Sequence, residues 1–182
     1  MFLEQIRQRR SIRKYTERNI ETAKVEQIIE AILRSPSSKG YNPWEFIVVT
    51  DRDLLEKLSE TKSHGSSFIK NAALGIVVCA DPSVTDTWVE DTTIAAIMGQ
   101  LTAESLGLGS CWIQVRDRKH NPQLMAGDYI ADLLNIPENL NVESIVAMGY
   151  PDEQKPPKNT SELQFKKVKL NSYGTLFRSD QE

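Results

Sequence analysis

ESLGLGSCWIQV, residues 104–115, begins like a glycine-rich nucleotide-binding turn. Two features exclude that reading. Gly107 and Gly109 supply a Gly-x-Gly, but the third glycine is missing. The chain also runs from a helical segment into a strand, whereas a pyrophosphate site needs a strand running into a helix, so that the helix N-terminus meets the phosphate. The stretch is therefore a helix C-terminus, with Gly107 or Gly109 as its left-handed cap. The strand SCWIQV follows.

Working outward, 88–106 is the longest helical segment. Its Ala95, Ala96, Gly99 and Ala103 are small enough for close packing on every side, as in a helix at the centre of a domain. LGIVVCA (74–80) is a buried strand closed by Asp81 and Pro82, and FIVVT (46–50) is another, bounded by Pro43 and Asp51. Between them lie a polar helix over 52–60 and a loop with His64, Gly65, Ser66 and Ser67. Val25, Ile28, Ile29, Ile32 and Leu33 form a helical stripe that should stop before Pro36. Phe2, Leu3 and Ile6 mark a short amphipathic helix at the start. Asn121 as N-cap and Pro122 in the first turn predict a helix to about residue 134. VESIVAMGYP (142–151) is the fourth strand. Helices alternating with short strands place the chain in the α+β or α/β class, with helices covering a small sheet.

The chain has 182 residues, enough for a single domain over 1–182 with a core of its own. Charged residues at 26% and hydrophobic ones at 40% are those of an ordinary globular protein. No apolar run reaches the roughly 18–20 residues that span a bilayer. MFLEQIRQRR lacks the apolar core of a signal peptide, so a cytoplasmic location is expected. Cys79 and Cys111 lie in apolar runs and read as buried reduced thiols, and no CxxC pair is present. His64 and His120 have no metal-ligand spacing, and no metal site is expected. P-loop and GxSxG patterns are absent. The tail over 155–182 carries Leu163, Phe165, Val168, Leu170, Tyr173, Leu176 and Phe177. That is too much apolar surface for a solvated tail, so it should dock, with a partner subunit as acceptor.

RQRRSIRKY (7–15) concentrates five of the chain's 22 basic residues, although the net charge is −3. An island of charge on an acidic chain suits a single phosphate better than a nucleic acid, which is met by a whole basic face and with steep salt dependence. Guanidinium forks hold phosphate bidentately and stay charged. The residues alone leave two readings open: a phosphate cradle, or a solvated turn with Ser11 capping the next element. SPSSKGYNPWEF (35–46) is an ordinary helix-to-strand connection, yet its hydroxyls and Asn42 are suited to hydrogen-bonding a flat heteroaromatic ring.

RRSIRKY, SPSSKGYNPWEF, ESLGLGSCWI and VAMGYP occur in the order seen in the nitroreductase family of FMN-dependent oxidoreductases, which the chain resembles over about 7–151. The resemblance implies an α+β fold with a small mixed, mainly antiparallel sheet of four to five strands, assembled as an intertwined homodimer. One FMN is then held at each of two subunit interfaces. Arg9, Arg10, Ser11 and Arg13 would hold its phosphate and reach the ribityl and pyrimidine side. Pro36, Ser37 and Ser38 would come from the opposite subunit against the isoalloxazine. Trp112, Ile113 and Gln114 would bring backbone groups to the ring near its reactive nitrogen. The family often has Asn where this chain has Gly40, and Gln where it has Asn42, so Gly40 is reduced to a backbone neighbour. Some members place an Asn and a Lys beside the pyrimidine; His64 or Ser66 is the candidate here. Lys158 or Lys167 is the candidate for a C-terminal phosphate ligand.

The flavin then carries the chemistry and no catalytic side chain is required. The implied activity is ping-pong: NAD(P)H reduces FMN, and a nitroaromatic, quinone or similar electron-poor acceptor reoxidises it. The alternatives are a specialised flavin reaction on the same fold (dehalogenation, ene reduction, flavin breakdown) or a non-enzymatic FMN-binding protein. The first of these needs a long lid, for which the sequence around Trp88–Asp91 leaves little room.

Overall fold

Leu74–Ala80 is buried along its whole length, and the rest of the fold explains how. A computed structural model of the chain describes residues 2–177. Four strands, β1 (Trp44–Val49), β2 (Leu74–Ala80), β3 (Gly109–Gln114) and β4 (Asn141–Gly149), form one sheet in the order β1-β2-β4-β3. All three pairings are antiparallel. The parallel component expected of a mixed sheet is a single bridge, Ser11 to Ser110, and no fifth strand forms among the described residues.

Side chains alternate between two cores, as the strand period requires. On one face Val77, Ile113, Ile145 and Ala147 pack with Leu55 and Leu58 of α3 (Arg52–Ser59) and Ile130 of α5 (Ala126–Leu134). On the other, Ile76, Val78, Val146 and Met148 pack with Ile28 and Ile32 of α2 (Thr22–Leu33) and Ala96 and Ala103 of α4 (Trp88–Ser105). The sheet is thus the middle of three layers, and β2 and β4 are covered on both sides. A β-carbon on Gly99 would lie 2.9 Å from Ile32, so the absence of a side chain there sets how closely α4 meets α2.

Two expectations need correction. The helix foreseen from Pro122 begins at Ala126. Asn121 caps a turn instead: its Oδ1 accepts from the N–H groups of Gln123 and Leu124, and the turn is closed by a bridge from Lys119 to Met125. Nor is α4 packed on every side within this chain, because Ile94, Ile97 and Met98 are more than a third exposed. Gly107, at φ +75°, is the left-handed residue after α4, whereas Gly109 belongs to β3. The short helix α1 (Phe2–Gln8) is present, but Phe2, Leu3 and Ile6 all face solvent. Residues 178–182 of the tail lie outside the described residues. No helix among the described residues is long and apolar enough to cross a membrane.

Gly109 is required for a different reason from Gly107. Ile12 rests directly on it, and a β-carbon there would lie 2.8 Å from Ile12 Cβ. Gly109→Ala should therefore lower the unfolding free energy by about 1–3 kcal/mol, the usual range for overpacking. Gly174→Ala, with nothing within 4 Å, should stay within about 0.5 kcal/mol of the parent in denaturant titrations.

Candidate functional site

The basic segment is stitched between an edge strand and the chain's C-terminal strap. Ile12 N–H donates to Ser110 O (3.0 Å), Thr16 N–H to Tyr150 O (2.9 Å) and Asp152 N–H to Lys14 O (2.9 Å). Ile12 and Tyr15 point inward and are buried, and the Tyr15 hydroxyl donates to Ile12 O at 2.6 Å. Burial also pushes the Tyr15 phenol well above its ordinary range. The charged side chains are left outside the core.

The strap over 153–156 fixes the segment's shape. Glu153 Oε1 accepts from the backbone N–H groups of Arg13 (2.5 Å) and Lys14 (3.2 Å). Those bonds, together with Lys155, hold its carboxyl below the ordinary carboxylate range. Lys155 Nζ donates to Ser11 O (2.7 Å) and pairs with Glu153 (3.1 Å). Arg10 Nη1 donates to the carbonyl of Pro156.

A cavity of about 860 Å³ opens over this arrangement. Arg7, Arg9, Arg10, Arg13, Lys155 and Lys158 line it with Ser11, and no carboxylate is among its lining residues. Leu3, Ile6, Leu163 and Phe165 form its apolar wall. Arg9 Nη1 is buried without a hydrogen-bond partner. A buried guanidinium nitrogen left unpaired is costly, and an anion in the cavity would remove that cost. The neighbouring cleft of about 730 Å³ differs in kind: it carries Glu104 and Glu153 beside Arg10 and Lys155.

β3 is an edge strand of the sheet, joined to the basic segment by the Ser11–Ser110 bridge. Ser110 O and Gln114 O both point outward, since they accept from Ile12 N–H and Lys62 Nζ (2.7 Å). Alternation along an antiparallel edge then puts the Trp112 N–H and C=O outward too. The Gln114 side chain is committed elsewhere: its Oε1 accepts from Trp112 Nε1 (3.1 Å), and its Nε2 donates to Arg116 O (3.0 Å). What β3 offers at Trp112 and Gln114 is backbone. Ile113 points into the core at 1% exposure.

The remaining foreseen residues lie apart. Pro36, Ser37, Ser38 and Gly40 precede β1, the opposite edge of the sheet from β3. Three strand spacings separate the two edges, about 14 Å, so the loop does not close over its own chain's cavity. Ser37 Oγ donates to Asn42 Oδ1 (2.8 Å) and accepts from Asn42 N–H (2.9 Å), so the Ser37 hydroxyl proton is engaged within the loop. Lys167 is not among the residues lining the cavity, whereas Lys158 is. Ser66 is buried, its hydroxyl donating to Ser59 O and Lys62 O, and His64 is exposed.

Two residues were missed by sequence reading. Lys155 joins the cradle through contacts some 140 residues away in sequence. Lys62 stands at the far end of the β3 edge, with burial and then Arg118 lowering the affinity of its amine for a proton. No carboxylate pairs with it among the described ion pairs.

A model described as the nitroreductase family matches residues 6–78 and 62–150. An FMN-dependent nitroreductase structure from Clostridium difficile superposes with a TM-score of 0.93 at 46% identity, covering 94% of this chain and 99% of that one. A relative from Archaeoglobus fulgidus is 41% identical over 157 residues, spanning 84% of this chain and 87% of its own. A Vibrio harveyi NADPH-flavin oxidoreductase is 30% identical over 167 residues, covering 83% of this chain and 66% of its own.

Cys111 lies on β3 beneath the cradle and Cys79 on β2, each 1% exposed. Burial pushes the Cys79 thiol up to about 12, with Glu45 adding to the effect. It raises Cys111 as well, even though Arg13 and Lys155 oppose the shift. A thiol reagent at mildly alkaline pH should label neither cysteine in the native protein and both after denaturation. Rapid native labelling of Cys111 would mean that the cavity floor is open.

Proposed function

The chain belongs to the nitroreductase family, and from that premise we propose that it is an FMN-dependent oxidoreductase that takes reducing equivalents from NAD(P)H and passes them to electron-poor acceptors such as nitroaromatics or quinones. The observation that carries this reading is the cavity: six cationic side chains, no carboxylate, and a buried Arg9 nitrogen without a partner. It has the chemistry of a site for a phosphate monoester.

Arg9, Arg10, Ser11 and Arg13 would hold that phosphate, joined by Lys155 from the strap and Lys158 beyond it. The outward N–H groups of Trp112 and Gln114 would be the β3 donors offered to the polar edge of the ring. Lys62, whose Nζ donates to Gln114 O, stands at that end of the β3 edge. Bound FMN supplies the redox chemistry, in two half-reactions with NAD(P)H and acceptor in turn. The protein's share is to bind, orient and exclude water, and the site accordingly needs no nucleophile of its own.

In this reading the active form is a homodimer in the cytoplasm, each chain a single domain. Two features support the dimer: the exposed apolar faces of α1 and α4, and a tail that turns back on itself through the Lys169–Leu176 bridge with Tyr173 and Phe177 exposed. The Pro36–Ser38 loop, too distant to serve its own chain's cavity, serves the partner's.

Purified protein should be yellow and release FMN on denaturation. Anaerobic addition of NADH or NADPH should bleach the flavin, and a quinone or nitroaromatic should restore the colour. Flavin left unbleached by both donors contradicts the activity. Arg9→Ala with Arg13→Ala should yield a folded protein that loses its colour on dialysis, whereas full FMN occupancy would overturn the phosphate assignment.

A further inference from the structure

Asp91 is 3% exposed in the first turn of α4, and no cation pairs with it among the described ion pairs. A buried carboxylate without a cation is costly unless donors surround it. Here Oδ1 accepts the backbone N–H of Ser38 (2.9 Å), and Oδ2 accepts the Thr87 hydroxyl (3.3 Å). The N-terminus of α4, where a negative charge is favoured, completes its surroundings.

The segment that Asp91 grips is backbone held in unusual conformations. Lys39 (φ 51°), Gly40 (φ 69°) and Asn42 (φ 49°) all have positive φ within four residues. Lys39 and Asn42 have no glycine's freedom, and such conformations persist only where the surroundings over-determine them. Two devices do so. The Ser37–Asn42 pair of bonds closes the loop on itself, and the Ser38–Asp91 bond ties it to the body of the protein. The same helix carries Ile94 and Met98, three and seven residues on, on its exposed face.

We propose that Asp91 is a positioning residue for the flavin site of the neighbouring subunit: it anchors the Ser37–Ser38 loop to the first turn of α4 and so sets the shape that the loop presents across the dimer. Asp91 itself touches neither cofactor nor substrate. The inference rests on the FMN-dimer reading above. It goes beyond that reading by making one chain's buried carboxylate act on the other chain's cofactor.

The test is FMN affinity, measured by flavin fluorescence on apo-protein, alongside the thermal midpoint of the same samples. Asp91→Ala should weaken FMN binding at least about tenfold, the scale for losing a hydrogen bond to a charged group. Asp91→Asn, which keeps an acceptor for Ser38 N–H, should recover most of the loss. Mixed dimers give the readout that a general loss of stability does not. Pairing an Asp91→Ala subunit with an Arg9→Ala, Arg13→Ala subunit leaves one site intact. Such dimers should bind one FMN at wild-type affinity, although neither parent homodimer does. If Asp91→Ala does not fold, Ser38→Pro removes the same N–H from the loop side. Ser37, at φ −136° and ψ 161°, already has the extended conformation that precedes proline. Ser38→Ala is its control, lacking the hydroxyl and keeping the N–H.

Unchanged FMN affinity in Asp91→Ala, or in Ser38→Pro relative to Ser38→Ala, overturns the proposal. So does a mixed dimer with no tight site. Wild-type protein that binds no FMN would instead overturn the functional reading on which the proposal stands.

Discussion

The bond between the Glu153 carboxylate and the backbone N–H groups of Arg13 and Lys14 is the constraint on which the site depends. A segment as rich in arginine as 7–14 repels itself, and left in solvent it has no single shape. Glu153 gives it one while using main-chain donors, so the guanidinium groups of Arg9 and Arg13 are not spent on the clamp. Lys155, bonded to Ser11 O, balances the Glu153 carboxylate, so the clamp does not draw on the arginine charges. Had the acid paired with the arginine side chains instead, the cavity would be neutralised. The sheet provides the other half of the constraint. The strand order makes β3 an edge, and the outward carbonyls at its two ends, Ser110 O and Gln114 O, are bonded to Ile12 N–H and Lys62.

The elements were readable in the sequence because their signals are local. The apolar stripe of α2, the β-branched runs of β2 and β4, and the stop before Pro36 each depend on neighbours within a few positions. Even the rejection of a dinucleotide turn at Gly107–Ser110 needed only the order of helix and strand. Where local signals compete, the reading failed. Asn121 followed by Pro122 looks like a helix start, but the Asn121 oxygen is taken by the N–H groups of Gln123 and Leu124, and α5 waits until Ala126. The exposed flank of α4 failed for another reason. Residues such as Ala95 and Gly99 announce close packing, but they do not say how many sides of the helix a single chain covers.

In the site, residue types were legible and partners were not. RRSIRKY concentrates charge by composition and leaves a phosphate cradle and a solvated turn both open, whereas Lys155, Lys62 and Asp91 matter only through contacts between residues far apart in sequence. Ser37 and Asn42 are a different case. They have the right chemistry for a flavin ring, and within their own chain part of it bonds the two residues to each other. Sequence shows which groups are present, and only packing shows which of them remain free.

The central claim is that the cation cluster over the strap exists to hold a phosphate. It is tested most directly by titrating apo-protein with FMN and with riboflavin, which share a ring and a ribityl chain and differ only in that group. FMN should bind tighter by about two orders of magnitude or more, with the gap narrowing as salt is added. Equal affinity for the two would contradict the account.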